Sequence, residues 1–237
     1  MLEIPEITEF KNGRILLINK ELNWTSFDVV NKVRIILRNR LGIKKIKVGH
    51  AGTLDPLATG LVIVCTGKAT KRITEFQDLE KEYVATIKLG ETTPSFDLET
   101  AINKSFETKH ITREKVEITL MQFLGEIDQV PPLFSAKFIN GTRAYEFARK
   151  GEDFELKPNR VKIVNIKLLL YEIPFIKLVI RCSKGTYIRS LARDIGLALN
   201  SGAHLTELQR TMIGDYSIKQ AQTLLEFEKN LAGFETN

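Results

Sequence analysis

The sequence predicts an α+β fold with a mixed, largely antiparallel sheet flanked by helices and loops. A chain of 237 residues with 43% hydrophobic content can bury a substantial core. Strand-like and helix-like segments mix without a regular βαβ repeat, which argues against a doubly wound parallel sheet. Two long β-rich runs, residues 161–173 and 175–182, add strand content late in the chain. No internal repeat, low-complexity tract or linker marks a domain boundary.

Local patterns predict the elements of the first half. Val30, Val33 and Leu37 recur at helical spacing, which predicts a helix over residues 26–40 that Thr25 or Ser26 caps and Gly42 ends. The other elements predicted here are a strand over 14–19, a buried strand over 61–66, a helix over 68–79, an alternating strand over 81–89 and a polar loop over 91–100.

The second half contains similar signals. Thr112 caps a predicted helix that runs to about residue 124. The remaining predictions are a strand over 133–139, a tight turn at Asn140-Gly141, a short helix over 144–150, strands over 161–173 and 175–182, and helices over 186–199 and 220–233.

One segment, residues 49–60, holds a single carboxylate, Asp55, in the sequence Gly-His-Ala-Gly-Thr-Leu-Asp-Pro-Leu-Ala-Thr-Gly. Glycine reaches backbone angles that other residues avoid and Pro56 fixes its own angle, so the loop is tightly specified. Asp55 either caps a turn or is presented for chemistry. This segment alone leaves both interpretations open.

Several chemistries lack their motifs. Gly67-Lys68 fails as a phosphate-binding loop because Val62 stands where the first glycine belongs, and no Gly-x-Ser-x-Gly elbow exists. The three histidines are widely separated, without metal-ligand spacing, so no metal site is predicted. A glycosidase would use two carboxylates, whereas the segment offers one. An aspartate acting as a lone nucleophile remains, with no cofactor.

Positive charge is concentrated along the chain. The net charge is +6, and residues 32–47 carry seven basic side chains and no acidic one. This run is either a solvated helix face or a surface that binds phosphates. The basic residues predicted to contact a nucleic-acid backbone are Arg38, Arg40, Lys44, Lys45, Lys47, Arg143 and Arg149.

The chain has the features of a cytoplasmic protein. No apolar stretch approaches the roughly 20 residues that cross a bilayer, and the N-terminus does not resemble a signal peptide. Cys65 and Cys182 lie in apolar runs and are predicted to be buried free thiols. We therefore expect no membrane association.

Residues 49–60 resemble the signature of the TruB family, bacterial synthases that form pseudouridine at position 55 in the T-loop of tRNA. Other segments resemble further motifs of that family in the same order, across roughly residues 13 to 215. They are Gly-Arg-Ile-Leu-Leu-Ile-Asn-Lys at 13–20, Lys-Glu-Tyr at 81–83, Val-Pro-Pro-Leu-Phe-Ser-Ala at 130–136, Cys-Ser-Lys-Gly-Thr-Tyr-Ile-Arg at 182–189 and Gly-Ala-His-Leu-Thr-Glu-Leu-Gln-Arg at 202–210.

The resemblance implies a role for each matching residue. Asp55 corresponds to the nucleophile, Arg189 to the arginine that pairs with it, and Tyr83 to the tyrosine that packs on the target base. The residues that resemble the family's other substrate contacts are Tyr187 and Leu208 in the uridine pocket, His50 in the T-loop, and Lys20 as a support of the active site. Glu21 departs from the usual proline, and residues 91–97 depart from a more acidic pattern.

The resemblance also implies the reaction and the partner. The pseudouridine synthase fold would bind the T-arm stem-loop of tRNA and isomerise one uridine, without a cofactor, a metal or an obligatory protein partner. Residues 1–215 would form the catalytic domain, and residues 216–237 a short helical tail in place of a PUA domain. Asp55 could attack C1′, act through a glycal or add to C6.

Two other functions remain possible on the same scaffold. One is a non-catalytic RNA-binding or tRNA-folding protein, against which the intact set of Asp55, Tyr83 and Arg189 argues. The other is a guide-RNA-dependent synthase of ribosomal RNA, which relies on a PUA domain and partner proteins.

Overall fold

The computed structural model describes residues 7–135, 138–139, 142–143 and 156–232. The strands are β1 (Ile15–Lys20), β2 (Val48–His50), β3 (Ala58–Thr66), β4 (Lys81–Leu89), β5 (Glu91–Thr92), β6 (Lys104–Ser105), β7 (Gly125–Gln129), β8 (Phe138–Ile139), β9 (Thr142–Arg143), β10 (Asn159–Glu172), β11 (Phe175–Cys182), β12 (Ala203–Ile213) and β13 (Tyr216–Ser217). The α-helices are α1 (Ile7–Asn12), α2 (Ser26–Leu41), α3 (Ile73–Asp78), α4 (Arg113–Met121), α5 (Ile188–Ala198) and α6 (Leu224–Ala232). Short 3-10 helices cover Gly67–Arg72 and Ile218–Gln220. None of the described helices has the length and apolar character needed to cross a membrane.

The chain divides into two compact units. The first unit combines the residues up to Glu82 with the residues from Gln209 onwards, and the second unit is Tyr83–Leu208. Strands β4 and β12 each contribute residues to both units. The predicted end of a catalytic domain at residue 215 stays a prediction.

In the first unit, β3 is the central strand. It pairs antiparallel with β1, where Lys20 faces Gly60, and with β2, where His50 faces Val64. The side chains of residues 61–66 are fully buried, which explains an apolar run without alternation. Helix α2 buries Val29, Val33 and Leu37, and it packs on β1, β2 and α6. The Asp55 loop connects β2 to β3 and therefore stands on this core.

The second unit is built on an antiparallel sheet. Its strands lie in the order β12, β4, β11, β10, β7, and β10 pairs antiparallel with both β11 and β7. Helix α5 buries Ile188, Leu191 and Ile195. These pairings and those of the first unit confirm the predicted α+β fold with a largely antiparallel sheet.

Several predicted elements are confirmed closely. Helix α2 begins after a Thr25 cap and ends at Gly42, whose φ is 63°. The strand over 81–89 matches β4, and the strand over 14–19 matches β1 within one residue. Cys65 and Cys182 are buried free thiols, and burial raises the pKa of Cys65 to about 11.

Other predictions were wrong in extent or type. Residues 68–79 form a 3-10 helix followed by α3. Of the predicted strand over 133–139, residues 133–135 form bends, and residues 138–139 form strand β8. The predicted helix over 112–124 already ends at Met121, and the one over 220–233 begins only at Leu224. Strands β7 and β12 were not predicted. The predicted turn at 140–141 and helix at 144–150 lie outside the described residues.

Candidate active site

The Asp55 loop is a turn at the start of β3. The Ala58 N–H donates to the Asp55 carbonyl oxygen at 3.0 Å, which closes the turn. Gly52 and Gly60 have φ of 96° and 109°, a region that favours glycine. Asp55 is partly exposed and follows Leu54, which is buried. The fold thus presents the carboxylate at the edge of the core.

Ser26 joins this loop to the first turn of α2. Its buried hydroxyl accepts a hydrogen bond from the Leu54 N–H at 2.8 Å and donates to the Leu54 carbonyl at 3.2 Å. Thr25 and Asp28 form a capping box that fixes the same helix end. The residue before Asp55 is therefore anchored on both of its backbone polar groups.

Arg210, in β12, holds the loop from another side. This side chain is only 1% exposed. Its Nε donates to the Leu61 carbonyl at 2.7 Å, Nη2 to that of Gly52 at 3.2 Å and Nη1 to that of Thr53 at 3.4 Å. A side chain at Gly60 would collide with the Arg210 backbone. One guanidinium thus ties together the two flanks of the Asp55 turn.

Lys20 is a second buried cation in this unit, only 1% exposed. Its ammonium donates to the carbonyls of Trp24 at 2.7 Å, Glu21 at 3.0 Å and Pro56 at 3.4 Å. Burial lowers the pKa of Lys20 to about 8, although the charge of Asp55 opposes this shift. Lys20 therefore links the end of β1 to the residue after Asp55, and its protonation is coupled to that carboxylate.

His50 is the last residue of β2 and is partly buried. Burial lowers the pKa of His50, so the imidazole is neutral at pH 7. A backbone hydrogen bond with Gly52 partly opposes this lowering of the pKa.

In the second unit, Arg189 of α5 is 4% exposed and forms an ion pair with the buried Asp97 at 3.5 Å. Its Nη1 also donates to the Ser95 carbonyl at 3.4 Å. Residues 93–97 were predicted as part of a polar loop, yet Thr93, Ser95 and Asp97 are buried. The structure thus gives this segment a role that the sequence left open, which is to hold Arg189. The pairing of Arg189 with Asp55 stays a prediction.

The other predicted substrate contacts also lie in the second unit. Tyr83 in β4 and Leu208 in β12 are buried residues on neighbouring strands. Tyr187 is partly exposed at the N-terminus of α5, and its backbone N–H donates to Gln129 Oε1 at 2.8 Å. No group of three or more His, Cys, Asp or Glu in the described part of the chain could hold a metal ion.

The basic residues differ in their availability. Arg38, Lys44, Lys45 and Lys47 are exposed. Glu228 of α6 forms ion pairs with Lys32 at 3.4 Å and Arg40 at 3.5 Å. The side chain of Arg143 and all of Arg149 lie outside the described residues. Fewer basic side chains of residues 32–47 are therefore available to bind phosphate than the sequence indicates.

Comparison with known proteins identifies the family. Residues 38–188 match the profile of "TruB family pseudouridylate synthase (N terminal domain)", and residues 189–236 match "tRNA pseudouridylate synthase B C-terminal domain". The chain belongs to the TruB family. TruB members are pseudouridine synthases, which are isomerases, so the predicted family and enzyme class are confirmed.

Curated TruB proteins align along most of this chain. The chain is 60% identical to the tRNA pseudouridine synthase B of Phocaeicola vulgatus, over 92% of this chain and 93% of that protein. It is 52% identical to the enzyme of the same name from Flavobacterium johnsoniae, over 94% and 98% of the two chains.

Solved structures support the TruB fold. A chain from a Cbf5-Nop10-Gar1 complex matches with a TM-score of 0.69 and 27% identity, over 94% of this chain and 55% of that one. A chain from an H/ACA RNP bound to a substrate RNA matches with a TM-score of 0.68 and 26% identity, over 95% and 57%. This chain therefore spans little more than half the length of those two. The predicted pseudouridine synthase fold is confirmed.

Proposed function

We propose that this protein isomerises uridine 55 in the T-loop of tRNA to pseudouridine, with Asp55 as the nucleophile. The observation that carries the role of Asp55 is its loop, in which Ser26, Arg210 and Lys20 fix the backbone around one partly exposed carboxylate. The tRNA substrate is supported by relatives named tRNA pseudouridine synthase B that are up to 61% identical over most of the chain. A cytoplasmic location and independence from protein partners belong to the same proposal.

The reaction breaks the N1–C1′ bond of uridine, turns the base and joins C5 to C1′. No atom is oxidised or added in the net reaction: C5 loses a proton, N1 gains one, and Asp55 is the nucleophile. It attacks C1′, assists departure through a glycal or adds to C6. In each route, C5 of the base must bond to C1′ before the base leaves the pocket.

The remaining roles follow the family resemblance. Tyr83 stacks on the target base and takes part in proton transfer at C5, while Tyr187 and Leu208 line the uridine pocket. Arg189 pairs with the nucleophile and favours its charged form. His50, whose ring is neutral at pH 7, enters the T-loop where the target base has left its stack. Extruding the base costs a few kcal/mol, which pocket contacts offset.

The decisive experiment measures tritium release from 5-labelled uridine in a tRNA transcript. We expect conversion by the wild type and none by Asp55→Asn, because the amide is not a nucleophile. RNA binding by Asp55→Asn should persist, since the side chain keeps its size. Asp215→Asn is the matched control, because Asp215 is an exposed acid in the same unit.

The outcome separates the proposal from its rival. Full activity of Asp55→Asn would show that Asp55 is not the nucleophile. A wild type that binds tRNA tightly but converts no uridine would favour the non-catalytic RNA-binding protein.

A further inference from the structure

Five lysines from three separate segments line one pocket in the first unit. The pocket has a volume of about 300 Å³, at the small end of the range for ligand sites. Lys11 comes from the last turn of α1, Lys45 and Lys47 precede β2, and Lys68 and Lys71 lie in the 3-10 helix after β3. The Gly67 N–H donates to the Lys47 carbonyl at 2.8 Å, which joins two of these segments.

The charge of this lysine pocket is not balanced. All five lysines are exposed, and in the described part of the chain none of them forms an ion pair. Among the described residues that line the pocket there is no carboxylate. Lys32 and Arg40, by contrast, share Glu228. Like charges gathered at one concave surface repel each other, and a bound anion would relieve that repulsion.

The hairpin of β2 and β3 fixes where this pocket lies relative to Asp55. Asp55 precedes the start of β3 at Ala58, whereas Gly67 and Lys68 follow its end at Thr66. At roughly 3.3 Å per residue, a strand of this length separates the two places by about 25–30 Å. A polyanion that reaches both must extend at least that far.

We propose that the lysine pocket binds a phosphodiester group of the RNA substrate, on nucleotides well removed from the uridine that reacts. This inference rests on the proposed function for the identity of the RNA. Exposed ammonium groups hold a single small anion weakly in water, because solvent screens each pair. Several such contacts along an RNA backbone add up, since each one releases counterions. The pocket therefore suits a phosphate that is part of a long RNA.

The test compares Lys45→Gln/Lys68→Gln with Lys219→Gln/Lys229→Gln. Both double variants remove two exposed lysines from the first unit, and only the first pair lines the pocket. Binding is measured by fluorescence anisotropy at several salt concentrations. For full-length tRNA we expect the pocket variant to raise Kd several-fold and to lower the salt slope by about two. The control pair should change both quantities much less.

RNA length gives a second readout. A short stem-loop has too few base pairs to reach from Asp55 to the lysine pocket. The wild type and the pocket variant should therefore bind this short RNA with similar affinity. An equal loss for the trimmed and full-length RNA, or an equal effect of the control pair, would overturn the assignment. A third outcome would also overturn the assignment. If inorganic phosphate binds the wild type tightly, and the affinity for tRNA does not change when both lysines are replaced, the pocket is a site for free anions.

Turnover by the wild type separates the two proposals. If the wild type converts uridine and the pocket variant binds tRNA with an unchanged Kd, the lysine-pocket assignment is refuted and the proposed function stands. Lysine-dependent tRNA binding without any conversion refutes the proposed function and leaves the pocket assignment standing.

Discussion

Lys20 is a buried ammonium, and its protonation should make stability depend on pH. Its pKa falls from 10.5 in the unfolded chain to about 8 in the folded protein, chiefly because of burial. Between these values the unfolded state holds a proton that the folded state has released, so stability rises with pH in this window. Below about pH 8 both states are protonated and the cost of burying the charge is fully present.

We therefore predict that the difference in unfolding free energy between the wild type and Lys20→Met depends on pH. The unfolding free energy of the wild type, minus that of the variant, should rise between about pH 8 and 10.5, by an amount on the order of 2–3 kcal/mol. Urea denaturation at a series of pH values measures this difference. A flat difference would mean that the folded-state pKa of Lys20 is not lowered.

Arg210 should affect both stability and turnover. Arg210→Met leaves three backbone carbonyls without this donor, which we expect to cost on the order of 2–4 kcal/mol and to lower kcat by loosening the Asp55 turn. Denaturant unfolding and single-turnover kinetics measure the two effects. Arg72→Met, at an exposed arginine of the same unit, should change neither.

The site residues show what the sequence could and could not provide. The tightly specified Asp55 loop could be predicted because its glycines and Pro56 restrict the backbone, and Gly52 and Gly60 do adopt positive φ. Asp97 and the role of Arg210 were not recognisable, because Arg210 bonds to carbonyls about 150 positions away and Arg189 meets Asp97 across 92 positions. Only the fold brings such pairs together.

At the scale of elements, α6 masks part of the basic surface of α2. Glu228→Gln would release Lys32 and Arg40, and we expect tighter tRNA binding at low salt with a stability change below about 1 kcal/mol. Anisotropy titrations at two salt concentrations and thermal unfolding check this. Glu75→Gln, which frees Arg72 instead, is the matched control. If both variants bind tRNA more tightly by the same factor, only the net charge of the protein matters. If Glu228→Gln does not bind tRNA more tightly than the wild type, Arg40 does not contact the RNA.

Elements with regular patterns were predicted and irregular ones were not. The alternation over residues 81–89 indicated β4, and Thr25 with Gly42 marked both ends of α2. Strand β12 escaped prediction because it buries His204 and Arg210, two side chains that hydropathy patterns assign to solvent. Their hydrogen bonds to backbone carbonyls make that burial possible.

For the whole molecule, fold class and family could be predicted, while the division into units could not. No composition change marks residue 82 or 208, because each boundary falls inside a strand rather than in a linker. The residues assigned to chemistry are divided accordingly. Lys20, His50 and Asp55 belong to the first unit, and Tyr83, Tyr187, Arg189 and Leu208 to the second.

Strand β12 also limits how this protein can vary in length. Leu208 and Arg210 are two residues apart and share one face of the strand, since side chains alternate with a period of two. Inserting or deleting a single residue upstream in β12 would turn Arg210 to the opposite face and release the Asp55 turn. A substitution in β12 changes one side chain, whereas a one-residue insertion or deletion changes the facing of every residue on one side of it. We expect length in this strand to be under stricter selection than the identity of most of its residues.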